Sequence, residues 1–322
     1  MNLTKKSPCS ILVPVFNAER LIEQGLSSIL SSARDIDQVI VIDDGSTDNS
    51  PKLIHRFAEL DSRIVFKQRP HYGLVNTLNY GLDCCDFDLI ARADIDDLYL
   101  QSRITDLTNF MVRNESVAAV FSDYTIRGQN SQFLGDIHSA ILPNLTKLSL
   151  TTSSRTPHPG VMFRKSVIKE LGSYREESYP TEDLALWIKV ANHSQIASFP
   201  RPLLDYTLSP NGISANAQKL MAQNVHILRT ILSHNLDLSK VEEEFCQLKN
   251  VYAQSNGGSE RFLSLIRDLL ILSRSCKPKE RKYCIELSVQ ILSHFQSDWI
   301  GAAIKMRKFQ KLRSAYRKGL FT

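Results

Sequence analysis

An α/β fold on a mostly parallel sheet is what this sequence predicts, and three observations predict it. Through the first half, short β-rich runs alternate with helical patterns, the order that lays parallel strands side by side with helices across them. Two groups of carboxylates, in VIVIDDGSTD (39–48) and LIARADIDDL (89–98), each close an apolar run of strand type. In a parallel sheet such groups meet at the carboxyl ends of the strands, where open α/β sheets take their ligands. One site can then hold both a nucleoside and a metal.

The first strand is CSILVPVF (9–16), followed by a helix near 19–32 and a second strand, QVIVID (38–43). DDGSTD is made of turn formers, and Pro51 suits the first turn of a helix near 49–60, where its missing N–H would have no partner anyway. RIVFK (63–67), a helix near 73–84 and FDLIARAD (87–94) continue the alternation, and a helix near 102–114 leads to the strand VAAVFS (117–122). Residues 123–160, with Gly128, Gly135, Pro143, Pro157 and Pro159, read as loops and short strands around a cleft. TEDLALW (181–187) opens a helix with Leu184, Trp187, Ile188 and Ala191 on its apolar face. From about 215 onward Gly and Pro nearly vanish and helical periodicity takes over, which puts a boundary near 214.

Composition narrows the function classes. At 322 residues the chain suits a catalytic domain plus an appendage, and its 43% hydrophobic and 23% charged content is that of a globular protein. No apolar stretch approaches the roughly 18 residues of a membrane span, and the apolar run near the start is too short for a signal-peptide core. A cytoplasmic protein is expected. The six cysteines lack CxxC spacing and the eight histidines lack HExxH, so any metal is expected to be held by oxygen. The net charge of +5 comes from the tail: residues 299–322 carry seven basic residues and no acid, leaving the rest slightly acidic. That argues against nucleic acid as a partner of the main domain.

The acids carry the chemistry. DIDD (94–97) delivers three carboxylates into one short turn, where their repulsion must be offset, and a hard divalent cation such as Mg²⁺ or Mn²⁺ does that. Helix capping by Asp96 or Asp97 is the bland alternative. Glu182 and Asp183 fall in a first helical turn, either compensating the helix dipole or holding an ionised general base at a cleft rim. Phe16, at the end of the first strand, either packs in the core or stacks on a base.

In order and spacing, the segments ILVPVFNAE, VIDDGSTDNS, GLVNTLNYGL, IARADIDDL, HPGVMFRKSVIKELGSYREE and TEDLALW, across about residues 9–207, resemble the family-2 glycosyltransferases. The resemblance is closest to the bacterial branch that builds lipopolysaccharide, O-antigen or capsule saccharides. It implies the GT-A nucleotide-diphospho-sugar transferase fold, a Rossmann-like α/β sheet, over 1–214, beside the helical region that periodicity gives over 215–322. It implies that Pro14, Phe16, Asn17 and Glu19 receive the nucleoside and that Asp43 and Asp44 contact the base, typically uracil. Asp94 and Asp96 match the DxD motif, with Asp94 toward the ribose and Asp96 on the metal, Mn²⁺ or Mg²⁺; Asn79 and Arg92 lie near the donor. Asp183 matches the carboxylate that deprotonates the acceptor hydroxyl, with Glu182 and His158 on the acceptor side. The reaction implied is inversion by single displacement from a nucleotide sugar, expected to be a UDP-sugar, to a saccharide or lipid-linked acceptor.

Two departures refine the expectation. Thr207 and Ser209 stand where many relatives carry the Arg and His of Tyr-Arg-x-His, which leaves the third metal ligand open, and the QxxRW of processive synthases is absent. One sugar per encounter is expected. The alternatives are a degenerate relative that binds nucleotide sugar or scaffolds without transfer, and a nucleotidyltransferase, whose Gly-rich phosphate loop is missing here. In the tail, apolar residues from Phe295 to Leu320 recur every three or four positions among the basic ones, the pattern of an amphipathic helix on an anionic membrane surface. Peripheral association with the inner face of the cytoplasmic membrane follows as an expectation.

Overall fold

The structure, a computed structural model, describes residues 7–208 except 129–130, 139–142 and 153–155, together with scattered positions between 237 and 288. Its first half is an alternation of β1 (Cys9–Val15), α1 (Ile22–Ser32), β2 (Gln38–Asp43), α2 (Ser50–Leu60), β3 (Ile64–Gln68), α3 (Leu74–Cys84) and β4 (Leu89–Arg92). These match the predicted elements to within a few residues. β2 and β4 flank β1 in parallel and β3 pairs in parallel with β2, so the acids ending β2 and following β4 lie at one sheet edge.

Successive side chains point to opposite faces, so the continuous apolar runs of β1, β2 and β4 are buried on both. Ile11, Val13 and Val15 of β1 and Val39 and Val41 of β2 pack with Ile22 and Leu26 of α1 and Ile54 of α2. Leu12, Ile40 and Ile42 point to the other face, against Val75, Leu78 and Leu82 of α3. Each such side chain is worth about 1.5–3 kcal/mol when fully buried.

The second half runs β5 (Leu98–Tyr99), α4 (Arg103–Arg113), β6 (Val117–Arg127), β7 (Phe133–Ile137), α5 (Pro143–Thr152), β8 (Val161–Arg164), α6 (Lys165–Glu170), α7 (Glu182–His193) and β9 (Gln195–Thr207). One nine-stranded sheet results, in the order β3-β2-β1-β4-β8-β6-β9-β5, with β7 paired to β6. β8 is antiparallel to both β4 and β6, while β9 is parallel to β6 and antiparallel to β5. The sheet is thus parallel where the acids of the two turns sit and mixed beyond β4.

β9 and α5 go beyond the sequence reading. QIASFPRPLLDYT carries Pro200 and Pro202, which cannot donate to a ladder, and the pairing of β9 with β6 shifts register beside them. α5 falls inside 123–160, expected to be loops and short strands. The helical domain at 215–322 and its boundary at 214 fall largely outside the described residues, as do Ser209 and the basic tail at 295–320. Among the described residues no helix is long and apolar enough to cross a membrane.

Candidate active site

The first acidic turn is closed by its own hydrogen bonds. Pro14 lies in β1 beside Ile42, and the chain leaves that strand through Phe16, which is 46% exposed and stacks on His71 with ring centroids 4.2 Å apart. Asn17, at φ +48°, accepts the Thr47 amide at 2.8 Å and donates its own to Ser46 Oγ. The Glu19 amide donates to Asp48 Oδ2, and Glu19 Oε2 accepts the Asn49 amide, both at 3.0 Å. Asn17 and Glu19 therefore sew the end of β1 to the start of α2.

Asp44 accepts the amides of Tyr72 at 3.1 Å and Gly73 at 2.8 Å, with His71 Nδ1 2.9 Å from Oδ2. It thereby draws the 69–73 loop over the turn. Gly45 makes this possible: it sits at φ +77°, and a Cβ there would come within 2.6 Å of the His71 nitrogen. Asp43 differs from its neighbour. Its Oδ2 accepts the Ser46 amide at 3.2 Å, whereas Oδ1 is buried with no hydrogen-bond partner.

The second acidic turn is crowded instead. Asp94, Asp96 and Asp97 each offer a carboxylate oxygen, and these lie within 4.8 Å of one another. Burial and then the charge of Asp94 push Asp96 up to about 6, and burial followed by the charges of Asp94 and Asp96 pushes Asp97 well above the ordinary carboxylate value. Asp97 Oδ1 accepts the Thr207 amide at 2.8 Å, while Oδ2 is buried without a partner. Three hard oxygen donors, raised pKa values and an unsatisfied buried oxygen fit a hard divalent cation.

The first turn of α7 lies within electrostatic reach of Asp94 in this cluster. Glu182 is 5% exposed with Oε2 unpartnered, and burial followed by the Asp183 charge pushes it up to about 7. Asp183 is half-buried, accepts the Leu184 amide through Oδ1 at 2.6 Å, and is raised by burial. Between the clusters lies Arg92, buried at the end of β4 and ion-paired to Asp94. Its positive charge opposes the upward shifts of Asp96, Asp97, Glu182 and Asp183 alike. One guanidinium therefore serves as counter-charge to both acidic groups.

Two predicted residues take supporting positions. His158 is buried, with Nε2 2.8 Å from the Tyr174 hydroxyl and its ring against Trp187; burial lowers its pKa far below the usual value, so it is a neutral imidazole. Asn79 exchanges two hydrogen bonds with the Tyr174 backbone, at 3.1 and 2.9 Å. Together they brace Tyr174 beneath α7. Nothing local in the sequence marks Tyr174, Arg69 and His71: Arg69, over the rings of Tyr72 and Tyr80, meets Asp44 only after β3 returns the chain.

Comparison with known proteins places this arrangement. The profile of the family described as glycosyl transferase family 2 matches residues 10–172. The UDP-Gal:alpha-D-GlcNAc-diphosphoundecaprenol beta-1,3-galactosyltransferase of Escherichia coli is 30% identical over 206 residues, 62% of this chain and 74% of that protein. The O-antigen biosynthesis glycosyltransferase WbnJ, also of Escherichia coli, is 26% identical over 195 residues, covering 60% and 75%. Among solved structures, Staphylococcus aureus TarS 1–349 superposes with a TM-score of 0.57 at 17% identity, covering 97% of this chain and 92% of that one. That likeness bears on the fold, which is GT-A.

Proposed function

The chain belongs to glycosyl transferase family 2, and from that premise we propose a non-processive, inverting transferase that moves one hexose from a UDP-sugar to an acceptor hydroxyl. The acceptor we infer is a saccharide or lipid-linked saccharide of bacterial surface-glycan assembly, since one Escherichia coli relative is named for O-antigen biosynthesis and the other for a diphosphoundecaprenol-linked acceptor. The observation that carries this reading is Arg92, the counter-charge common to a cation-holding turn and a helix that presents Glu182 and Asp183.

In this reading Asp43, Asp44 and the exposed face of Phe16 receive the nucleoside, with Pro14, Asn17 and Glu19 shaping its loop and Asn79 bracing the wall. Asp94 faces the ribose, and Asp96 with its neighbours would hold Mn²⁺ or Mg²⁺. When bound, the cation offsets negative charge developing on the departing nucleoside diphosphate. Asp183 takes the proton of the acceptor hydroxyl as its oxygen attacks the anomeric carbon from the face opposite the diphosphate. The sugar–phosphate bond breaks in the same displacement, so configuration inverts. Its raised pKa makes Asp183 a better base than an ordinary carboxylate, while Glu182 lies beside it on the acceptor side.

Residues 1–214 would form the catalytic unit and 215–322 a helical region whose basic tail sits on an anionic membrane, at the inner face of the cytoplasmic membrane where lipid-linked acceptors are found. At about 1 kcal/mol per basic residue near the surface, partial engagement suffices. Removing 299–322 should then release the protein from anionic liposomes while leaving donor hydrolysis intact. Equal liposome binding by both forms would overturn the tail assignment.

A panel of nucleotide sugars with Mn²⁺, read by release of nucleoside diphosphate and by product on a lipid-linked acceptor, tests the whole reading. Turnover with a UDP-sugar and inverted product supports it. Binding without release or transfer from any donor would favour the degenerate alternative.

A further inference from the structure

The acids at 94–97 would spread apart by their own repulsion unless the backbone holding them were clamped, and the clamp is visible. The Tyr99 hydroxyl accepts the Asp94 amide at 2.6 Å and donates to the Asp94 carbonyl at 3.0 Å, engaging both backbone groups of that residue. Tyr99 is itself held on two sides. Its amide donates to Ser28 Oγ of α1 at 2.6 Å, and its ring lies 4.5 Å from the guanidinium carbon of Arg103.

Arg103 is fully buried, and its Nη2 donates to the carbonyls of Arg92 at 2.6 Å and Pro159 at 2.9 Å. It thus ties the strand end before the turn to the segment carrying His158. One helical turn before Ser28 stands Gly25, where a Cβ would run into the Ile95 carbonyl, so α1 lies directly on the turn. None of these side chains offers a carboxylate to a cation. They act through the backbone that aims the carboxylates.

We propose that Tyr99 is the positioning residue of this site: its phenol, seated by Ser28 and Arg103, holds Asp94 so that the three carboxylates converge on a divalent cation. The inference rests on the metal reading above and deepens it. Losing the phenol oxygen leaves Asp94 without that side-chain brace and lets like charges push the turn open, which a cation must then reverse on binding.

The test is Mn²⁺ binding to the full chain without donor, followed by the electron paramagnetic resonance of free Mn²⁺. Tyr99→Phe should weaken binding by about 10–100-fold, the usual cost of removing a group that orients metal ligands. Apparent KM for Mn²⁺ should rise in step, with kcat at saturating Mn²⁺ within a few-fold of the unaltered enzyme. Ser28→Ala should shift affinity the same way by less. Ser32→Ala, which removes a buried hydroxyl bonded to the Ile29 carbonyl at 2.8 Å within α1, should leave affinity unchanged.

Unchanged Mn²⁺ affinity in a folded Tyr99→Phe protein, or an equal loss in Ser32→Ala, overturns the proposal. If Tyr99→Phe does not fold, Ser28→Ala decides by the same criterion. An unaltered protein that binds no Mn²⁺ removes the metal reading and the proposal with it, whereas Mn²⁺ bound by the unaltered chain but not by Asp96→Ala leaves Tyr99 alone at issue.

Discussion

The two acidic turns lie at the same sheet edge and are rich in the same residue, yet they are built in opposite ways. In the turn after β2, Asp44 and Asp48 spend their oxygens on amides of Tyr72, Gly73, Glu19 and Ser50, and burial of Asp48 is outweighed by those bonds, so its pKa is lowered. In the turn after β4, the carboxylates crowd one another, Asp97 keeps a buried oxygen unpaired, and Asp96 is pushed up to about 6. In the first turn Asp44 and Asp48 fix shape, and only Asp43 keeps a buried oxygen, Oδ1, without a partner. The second holds them in an arrangement that a cation completes. Sequence composition alone does not separate these uses; the partners do.

The sharpest way to break this comparison is Asp96→Ala. Turnover should fall by about 10³-fold or more and nucleoside-diphosphate binding should lose its dependence on Mn²⁺ or Mg²⁺. Stability of the metal-free protein should hold or rise, because one desolvated and repelled carboxylate is gone. A variant with intact, chelator-sensitive activity would return Asp96 to a capping role.

Asp183→Asn comes next. Loss of a positioned base should cost about 10²-fold in transfer while donor affinity stays within a few-fold. The base must be unprotonated to act, so activity should rise with pH through the pKa of Asp183, and that limb should lie above the ordinary carboxylate range because burial raises it. The limb should vanish in Asp183→Asn. An unimpaired variant would leave Asp183 as a first-turn acid compensating the helix dipole.

What could be read in advance follows the same divide. The strands β1 to β4 and their helices were legible because alternation, apolar runs and turn residues are local signals. The acids were legible because they close those runs. β9 was not, since Pro200 and Pro202 disguise a strand whose ladder shifts register beside them. Nor were the partners of Asp44, 28 and 29 residues away, or the setting of His158, whose burial against Trp187 depends on α7 folding over it. Tyr99 follows the DIDD turn by two residues, but only the folded turn brings its hydroxyl back to Asp94.

Glu182→Gln should disturb turnover only a few-fold, and it probes whether the buried acid beside the base carries strain of its own. Its pKa rises from 4.5 to about 7 in the folded chain, so the native state binds the proton more tightly than the unfolded one. Stability of the metal-free protein should therefore fall as pH rises between those values and level off above about 7. Gln removes that dependence and should give a Tm a few degrees higher at pH 8. A parallel pH profile in both proteins would mean that Glu182 is ionised without penalty.

The smallest effect on turnover, under about two-fold by the closed-turn argument, is expected for Asp48→Ala, because Asp48 meets no ligand in this reading and only holds the turn. Its loss strands the amides of Glu19 and Ser50, at 3.0 and 2.9 Å, and should cost about 1 kcal/mol, or roughly 2–4 °C in Tm. A lowered carboxylate stabilises the fold above its unfolded pKa of 3.8 and loses that contribution as pH falls through the folded value. The Tm gap between Asp48→Ala and the unaltered protein should thus be full at pH 7 and close on acidification, opposite in sign to the behaviour of Glu182→Gln. If Asp48→Ala instead abolished Mn²⁺ dependence while sparing Tm, the first turn would hold the cation as the second does, and the division between a closed and a crowded turn would fail.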